Sequence, residues 1–161
     1  LNDEEYKNAR ASVLTAFYTP PIVINSMYEI LQNMGLKEAN ILEPSCGVGN
    51  FFGMLPTELE KCKMYGVELD SISGRIAGQL YQKSTIAVNA YEKVELPDSF
   101  FDVAVGNVPF DEYKPNDKRY NKNKFLTHDY FFAKTLDKVR PRRSYCVYYL
   151  KRNNGQKELR G

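Results

Sequence analysis

The stretch from Glu43 to Asn50, EPSCGVGN, constrains the fold most, because it joins a short apolar run to a helical segment through two glycines. Glycine lacks a Cβ, so a turn of this kind lets a ligand's carboxylate or sugar approach bare backbone at a helix start. The pattern around it repeats the junction. Short strands are expected at Ile41 to Glu43, Met64 to Leu69, Thr85 to Val88 and Phe101 to Val105, with helices at Asn50 to Met54 and Ser71 to Tyr81. Strands alternating with helices predict a doubly wound, mainly parallel α/β sheet. Ligands of such sheets sit beyond the carboxyl ends of the strands, and Glu43, Glu68, Asn89 and Asn107 fall there.

Upstream, residues 4–14 read as a short helix, and FYTPP offers Thr19 as a cap with Pro20 and Pro21 in the first turn of the next one. Ile22, Ile24, Met27, Ile30, Leu31 and Met34 recur near helical spacing before Gly35, so this helix should pack on the sheet. Downstream, FLTHDYFFAKTLDKV is a further helix, in which His128 reads as a packing or capping residue.

Composition sets the outer bounds. A chain of 161 residues with 43% hydrophobic content supports one domain with a proper core. No apolar run approaches the roughly 18 residues of a membrane span, and LNDEEYKNAR is too charged for a secretion signal. A cytoplasmic address is expected. Cys46, Cys62, Cys146 and His128 lack the paired spacing of a zinc site, so no metal is expected, and Cys46 reads as a small residue filling the glycine turn.

Glu68, within YGVELD, follows the glycine turn by about 20 residues, the distance at which nucleotide-binding units place an acid on ribose hydroxyls. That pairing points to an adenosine-containing cofactor, and the absence of GxGxxG spacing argues against a nicotinamide. The plainer reading has Glu68 capping the following helix with Asp70. Asn107-Val108-Pro109-Phe110 bends the chain so that one side-chain amide and one main-chain carbonyl can converge on an amino group beside an aromatic ring. Its plainer reading is a strand-ending turn. Beyond it, Lys114, Lys118, Arg119, Lys122 and Lys124 alternate with Tyr113, Tyr120 and Phe125. Cations and rings in that mixture suit nucleic-acid phosphates and bases, and they equally suit a solvated loop.

The series FYTPP, ILEPSCGVGNFF, YGVELD and VGNVPF resembles the motifs of S-adenosylmethionine-dependent DNA adenine methyltransferases of the gamma class, over residues 9 to 141. Within that class it is similar to the methylase-like domain fused to large helicase proteins on bacterial mobile elements, which implies a longer parent. The resemblance implies a Rossmann-like methyltransferase fold with S-adenosylmethionine as cofactor and DNA as partner. It places Thr19 at the methionine end of the cofactor. Glu43, Pro44, Cys46, Gly47 and Gly49 would surround its amino acid and sugar, and Glu68 would hold its ribose. Asn107 and the Val108 carbonyl would accept hydrogen bonds from the target amino group, after Pro109 turns the chain so that Phe110 stacks on the base. Two positions depart from the pattern. Val108 replaces the usual proline, and Asn89 or Glu92 replaces the aspartate that meets the cofactor's adenine. The reaction implied is methyl transfer to the exocyclic amino group of adenine. Alternatives are a protein-glutamine or RNA methyltransferase, and a non-catalytic nucleic-acid-binding module of a helicase-like protein.

Charge is uneven along the chain. Residues 138–161 carry eight Lys/Arg and one acid, net +7, so residues 1–137 carry 14 basic and 19 acidic residues, net −5. By the family pattern VRP should lead into Gly-Gly and an apolar strand, whereas Arg142 onward reads RRSYCVYYLKRNNGQKELRG. One permitted back-translation of Arg142 to Glu158, read one base later, gives GGVIAFITSKGTMDKK. The expectation is therefore a methyltransferase domain over 1–141 that is truncated at its C-terminus, and an atypical, frameshifted basic tail over 142–161. SYCVYYL could still pair at the exposed sheet edge as a substitute strand.

Overall fold

Five strands, β1 (Asn40–Glu43), β2 (Lys63–Glu68), β3 (Thr85–Val88), β4 (Val103–Asn107) and β5 (Tyr145–Tyr149), build one sheet in the computed structural model, which describes residues 18–109, 114–141 and 145–149. All neighbours are parallel and the order is β3-β2-β1-β4-β5. The chain thus winds outward from β1 to β3, crosses back, and lays β4 on the other side of β1. That reversal opens a crevice beyond the carboxyl ends of β1 and β4. The doubly wound expectation holds, and β5 from the unusual tail pairs with β4 from Val103↔Tyr145 to Asn107↔Tyr149. The helix expected over 4–14, and Phe110 and Tyr113, lie outside the described residues.

Strand periodicity sorts the core into two faces. Ile41, Met64, Val103 and Val105 pack with Ile24, Tyr28 and Leu31 of helix α1 (Pro21–Asn33) and with Phe51 and Phe52 of the short helix α2 (Asn50–Gly53). On the opposite face, Leu42 and Ala104 join Phe101 and Val139, while Val67 meets Tyr91, Tyr130 and Phe131. Tyr130 and Phe131 belong to helix α4 (Thr127–Lys138). Helix α3 (Ser71–Leu80) lies close on β3, where a Cβ on Gly74 would come within 2.8 Å of Val88. Covering both faces explains why β1 and β4 read as apolar runs rather than alternating ones.

Several boundaries shift for identifiable reasons. β4 begins at Val103, not Phe101, because Phe101 is claimed by the end of α4: its N–H donates to Lys138 and its carbonyl accepts from Arg140. β2 stops at Glu68, whose Oε1 accepts from the Asp70 N–H. Asp70 then caps α3 through the N–H groups of Ile72 and Ser73, and Leu69 is left exposed. Asp70 alone therefore caps α3. Thr19 does not cap α1 either; Pro20 stands at the N-cap and Pro21 at the first helical position. Ile22, Ile30 and Met34 are exposed, so the buried stripe is Ile24, Met27, Tyr28 and Leu31. No helix among the described residues is long and apolar enough to cross a membrane.

Candidate site at the carboxyl ends of the strands

Glu43, Glu68 and Asn107 are the last residues of β1, β2 and β4, and each shares its strand face with the α1 and α2 side of the core. Glu43 alternates with Ile41, Glu68 with Met64, and Asn107 with Val103 and Val105. Register sets Ile41 beside Val103, so Asn107 reaches about 7 Å further along the crevice than Glu43. Three polar groups thus converge on one side of the topological reversal.

Glu43 is 3% exposed, and its Oε2 is buried with no hydrogen-bond partner among the described residues. The nearby Tyr28 hydroxyl donates instead to the Phe51 carbonyl at 2.7 Å. Burial, reinforced by the charge of Glu68, pushes the Glu43 carboxyl well above the ordinary carboxylate range. An unpaired buried carboxylate is costly, and either a proton or a bound cation relieves it.

Glu68 ties the glycine turn to β2. Its Oε2 accepts from the Gly47 N–H at 2.7 Å while Oε1 accepts from Asp70 at 2.8 Å. Burial raises this carboxyl, and those two N–H groups hold part of the rise back. Each carboxylate oxygen keeps a further lone pair with which a hydroxyl could bond. Gly47 has φ +56 with nothing within 4 Å of an added Cβ, so bare backbone faces open space there. Gly49 has φ +86, and a Cβ on it would strike the Tyr81 ring at 2.5 Å. Pro44 is buried behind the turn. The Cys46 N–H donates to the Val67 carbonyl, its sulfur packs over Gly66, and burial pushes the thiol up. Cys46 thus contributes by filling space beneath the turn.

The remaining expected residues divide. Asn89 is held beside Glu68 by its N–H on the Glu68 carbonyl, and its Oδ1 accepts from Ala90. Glu92 lies in the 3₁₀ turn Tyr91–Lys93 that follows. Both occupy the end of β3. Thr19 is buried one residue before the α1 N-cap. Val108 is 2% exposed and packed with Val67, Tyr91 and Tyr130, so core packing supplies some of the backbone restraint a proline ring would give. Pro109 is half-buried, and Phe110 lies outside the described residues.

The basic loop is tied to the body. Arg119 Nη1 donates to both carboxylate oxygens of Asp98, at 3.0 and 2.8 Å, and Nη2 lies 2.8 Å from Asp137, so its charge is already matched. Tyr120 is buried and donates to Asp137 at 2.6 Å. Both residues are thus engaged by carboxylates of the body. Lys114, Lys118, Lys122 and Lys124 are exposed. His128 is half-buried in the first turn of α4, 3.4 Å from Asp129.

Sequence reasoning missed the anchor of this loop. Lys134 is 4% exposed, lies over the Tyr91 ring, and donates to the carbonyls of Tyr91 (2.7 Å) and Val94 (3.2 Å) and to Asp117 (3.4 Å). Burial lowers its ammonium below the ordinary lysine value. Asp117 also accepts from the Tyr130 hydroxyl at 2.7 Å and from the Arg119 N–H. Burial works to raise its carboxyl, and these bonds outweigh it. The available signal was position: Lys134 lies four residues after Tyr130 and three after Phe131, on the apolar stripe of α4.

No family model matches the chain. Among curated proteins, it is 33% identical over 139 residues to the defense against restriction protein B of Escherichia phage P1, a match covering 83% of this chain and 6% of that protein. It is 31% identical over 94 residues to the type II methyltransferase M.CvrRI of Paramecium bursaria Chlorella virus XZ-6E, covering 58% of this chain and 24% of the relative. The chain therefore spans a quarter or less of the curated relatives it matches. Among solved structures, a modification subunit ascribed to a type I restriction enzyme of Vibrio vulnificus YJ016 aligns with TM-score 0.55 and 19% identity, over 76% of this chain and 30% of that one. Phosphoethanolamine N-methyltransferase 2 of Haemonchus contortus, in complex with S-adenosyl-L-methionine, aligns with TM-score 0.52 and 18% identity, over 73% and 26%. The fold is that of S-adenosylmethionine-dependent methyltransferases. In this methyltransferase fold the crevice between β1 and β4 is the place where Glu43, Glu68 and Asn107 converge.

Proposed function

We propose that this chain binds S-adenosylmethionine and serves methyl transfer to the exocyclic amino group of adenine in DNA. The observation that carries the reading is the convergence of Glu43, Glu68 and Asn107 on one face of the crevice, with Glu43 buried and short of a partner. An amino-acid ammonium would satisfy the orphaned Glu43 oxygen, and the open backbone at Gly47 suits close approach of a sugar. Glu68 would accept from ribose hydroxyls, Asn89 or Glu92 from an adenine amino group, and Thr19 would close the methionine end. The cofactor, when bound, supplies an electrophilic methyl group.

The chain's own part in the reaction is positioning. An exocyclic amino nitrogen is a weak nucleophile because its lone pair is delocalised into the ring. Asn107 Oδ1 and the Val108 carbonyl, accepting both of its hydrogens, would draw it toward tetrahedral geometry and aim the lone pair. Such orientation and charge stabilisation can supply most of a methyl transfer barrier reduction, and neither a metal nor a covalent enzyme intermediate is required. An adenine within duplex DNA would first have to leave the stack. The names of the phage and algal-virus relatives, which concern restriction and type II methylation, favour DNA as acceptor.

The test has two arms. Titration of wild type and Glu68→Ala with S-adenosylmethionine should show binding lost in the variant alone; binding by neither overturns the pocket. Incubation with methyl-labelled cofactor and either DNA, RNA or protein extract should label N6 of adenine in DNA, and should not do so in Asn107→Ala. Label confined to protein or RNA would overturn the choice of substrate, and cofactor binding without label in any acceptor would favour the non-catalytic module.

A further inference from the structure

The loop that follows the Asn107 tetrapeptide holds a concave site which the cofactor crevice does not use. Lys114, Asn116, Tyr120, Asn121, Lys124 and Phe125 line a pocket of about 420 Å³, floored by Tyr130 of α4. Its shape is built in by the polar network beneath it. Asn121 Oδ1 accepts from the Asp117 N–H at 2.9 Å, and its amide donates to Asn116 at 2.8 Å. Asp117 is in turn held by Tyr130 and Lys134, and Tyr120 by Asp137. Lys124 sits at φ +51, closing the 3₁₀ turn Asn121–Asn123 that sets the direction of its side chain.

We propose that this pocket is a nucleotide subsite for the DNA strand beside the target base, with Lys114 and Lys124 each on one of the two backbone phosphates that flank the nucleotide and Phe125 against its sugar or base. The inference rests on the DNA reading above and narrows it. Of the five cations the sequence offers in this loop, Arg119 is neutralised by Asp98 and Asp137, and Lys118 and Lys122 lie outside the pocket lining. Among the described residues of the loop, Lys114 and Lys124 are the two exposed ammonium groups that line a concave wall also presenting an aromatic ring. That combination matches a phosphodiester with an attached base, whereas an acidic protein surface would need no ring. Because the clamp formed by Asp117, Tyr130 and Lys134 already orders the wall, little loop entropy is lost on binding.

The test compares two doubly substituted proteins of equal net charge. In the first, Lys114→Gln and Lys124→Asn empty the pocket of charge, asparagine being chosen because it tolerates positive φ. In the second, Lys118→Gln and Lys122→Gln remove the same charge outside it. Binding of a fluorescent DNA duplex carrying one unpaired adenine is measured against salt concentration. Two phosphate contacts contribute about 1.8 to the slope of log affinity against log salt. Between 50 and 200 mM salt the wild type should therefore lose about twelve-fold more affinity than the pocket variant. The control pair should retain the wild-type slope. Equal slopes for wild type and pocket variant, or an equal loss in both variants, overturn the subsite. Cofactor titration of the same proteins is the separate readout of the methyltransferase reading, and it should be unchanged in both.

Discussion

Replacing Gly49 by alanine should destabilise the chain by about 2.5 kcal/mol, and the structure divides that figure into two parts. The first is backbone strain: φ +86 lies in the left-handed region, which costs an alanine about 1–2 kcal/mol. The second is steric. The new Cβ would stand 2.5 Å from Tyr81 Cε2 and 2.8 Å from Cδ2, so the ring must retreat by about 1 Å to reach ordinary contact near 3.5 Å. That retreat breaks the edge-to-face contact between Tyr81 and Phe52, at 5.7 Å between centroids, worth about 0.5–1.5 kcal/mol. Urea unfolding of wild type, Gly49→Ala, Tyr81→Ala and the double variant forms a closed cycle. Removing the ring should relieve the steric share and leave only the strain, so the glycine substitution should cost about 1–2 kcal/mol in the Tyr81→Ala background. A loss below about 0.5 kcal/mol in the single variant, or an identical loss in both backgrounds, would refute this account of the turn.

Two further outcomes follow from buried charges. The Glu43 carboxyl titrates above its ordinary value in the folded chain, so its protonated form contributes stability in full below about 4.5, and that contribution is lost as pH rises through the raised folded value. Thermal melts of ligand-free protein should fall with pH over that window. They should fall less in Glu43→Gln, where only the smaller rise of Glu68 remains, and parallel curves would contradict the assignment. Lys134→Met should lower the unfolding free energy by about 3 kcal/mol, because Asp117 and the carbonyls of Tyr91 and Val94 lose their donor together. A loss under about 1 kcal/mol in urea unfolding would show that the clamp is dispensable.

How far the residues foretold the structure depends on the range of the interaction involved. β3 falls where expected at Thr85 to Val88, and the other strands of the body lie within two residues, because apolar runs broken by glycines and acids are local signals. The alternation that places Glu43, Glu68 and Asn107 at strand ends is local too, which is why those positions stood out before any coordinates. Thr19 misled because a threonine before two prolines looks like a cap, whereas Pro20 itself takes that position. Long-range pairings were invisible. Nothing near Arg119 in the chain announces Asp98, twenty-one residues earlier, and a buried lysine such as Lys134 is concealed by the general rule that lysines face water.

The placement of Asn107 has a consequence for how its aim is maintained. β4 lies between β1 and β5, and its side chains alternate by size: Val103 and Val105 fill the α1 side, while Ala104 meets Leu42, Phe101 and Val139 on the other. Sliding the strand by one residue would preserve a ladder of backbone bonds yet drive a valine into the space of an alanine and open a void opposite. It would also turn the Asn107 amide to the far side of the sheet. Pairing register is therefore what sets the face on which the amide lies, and the alternation of Val103, Ala104 and Val105 in the dry interior helps to hold that register. The side of the sheet that Asn107 faces is thus decided by residues buried away from the crevice.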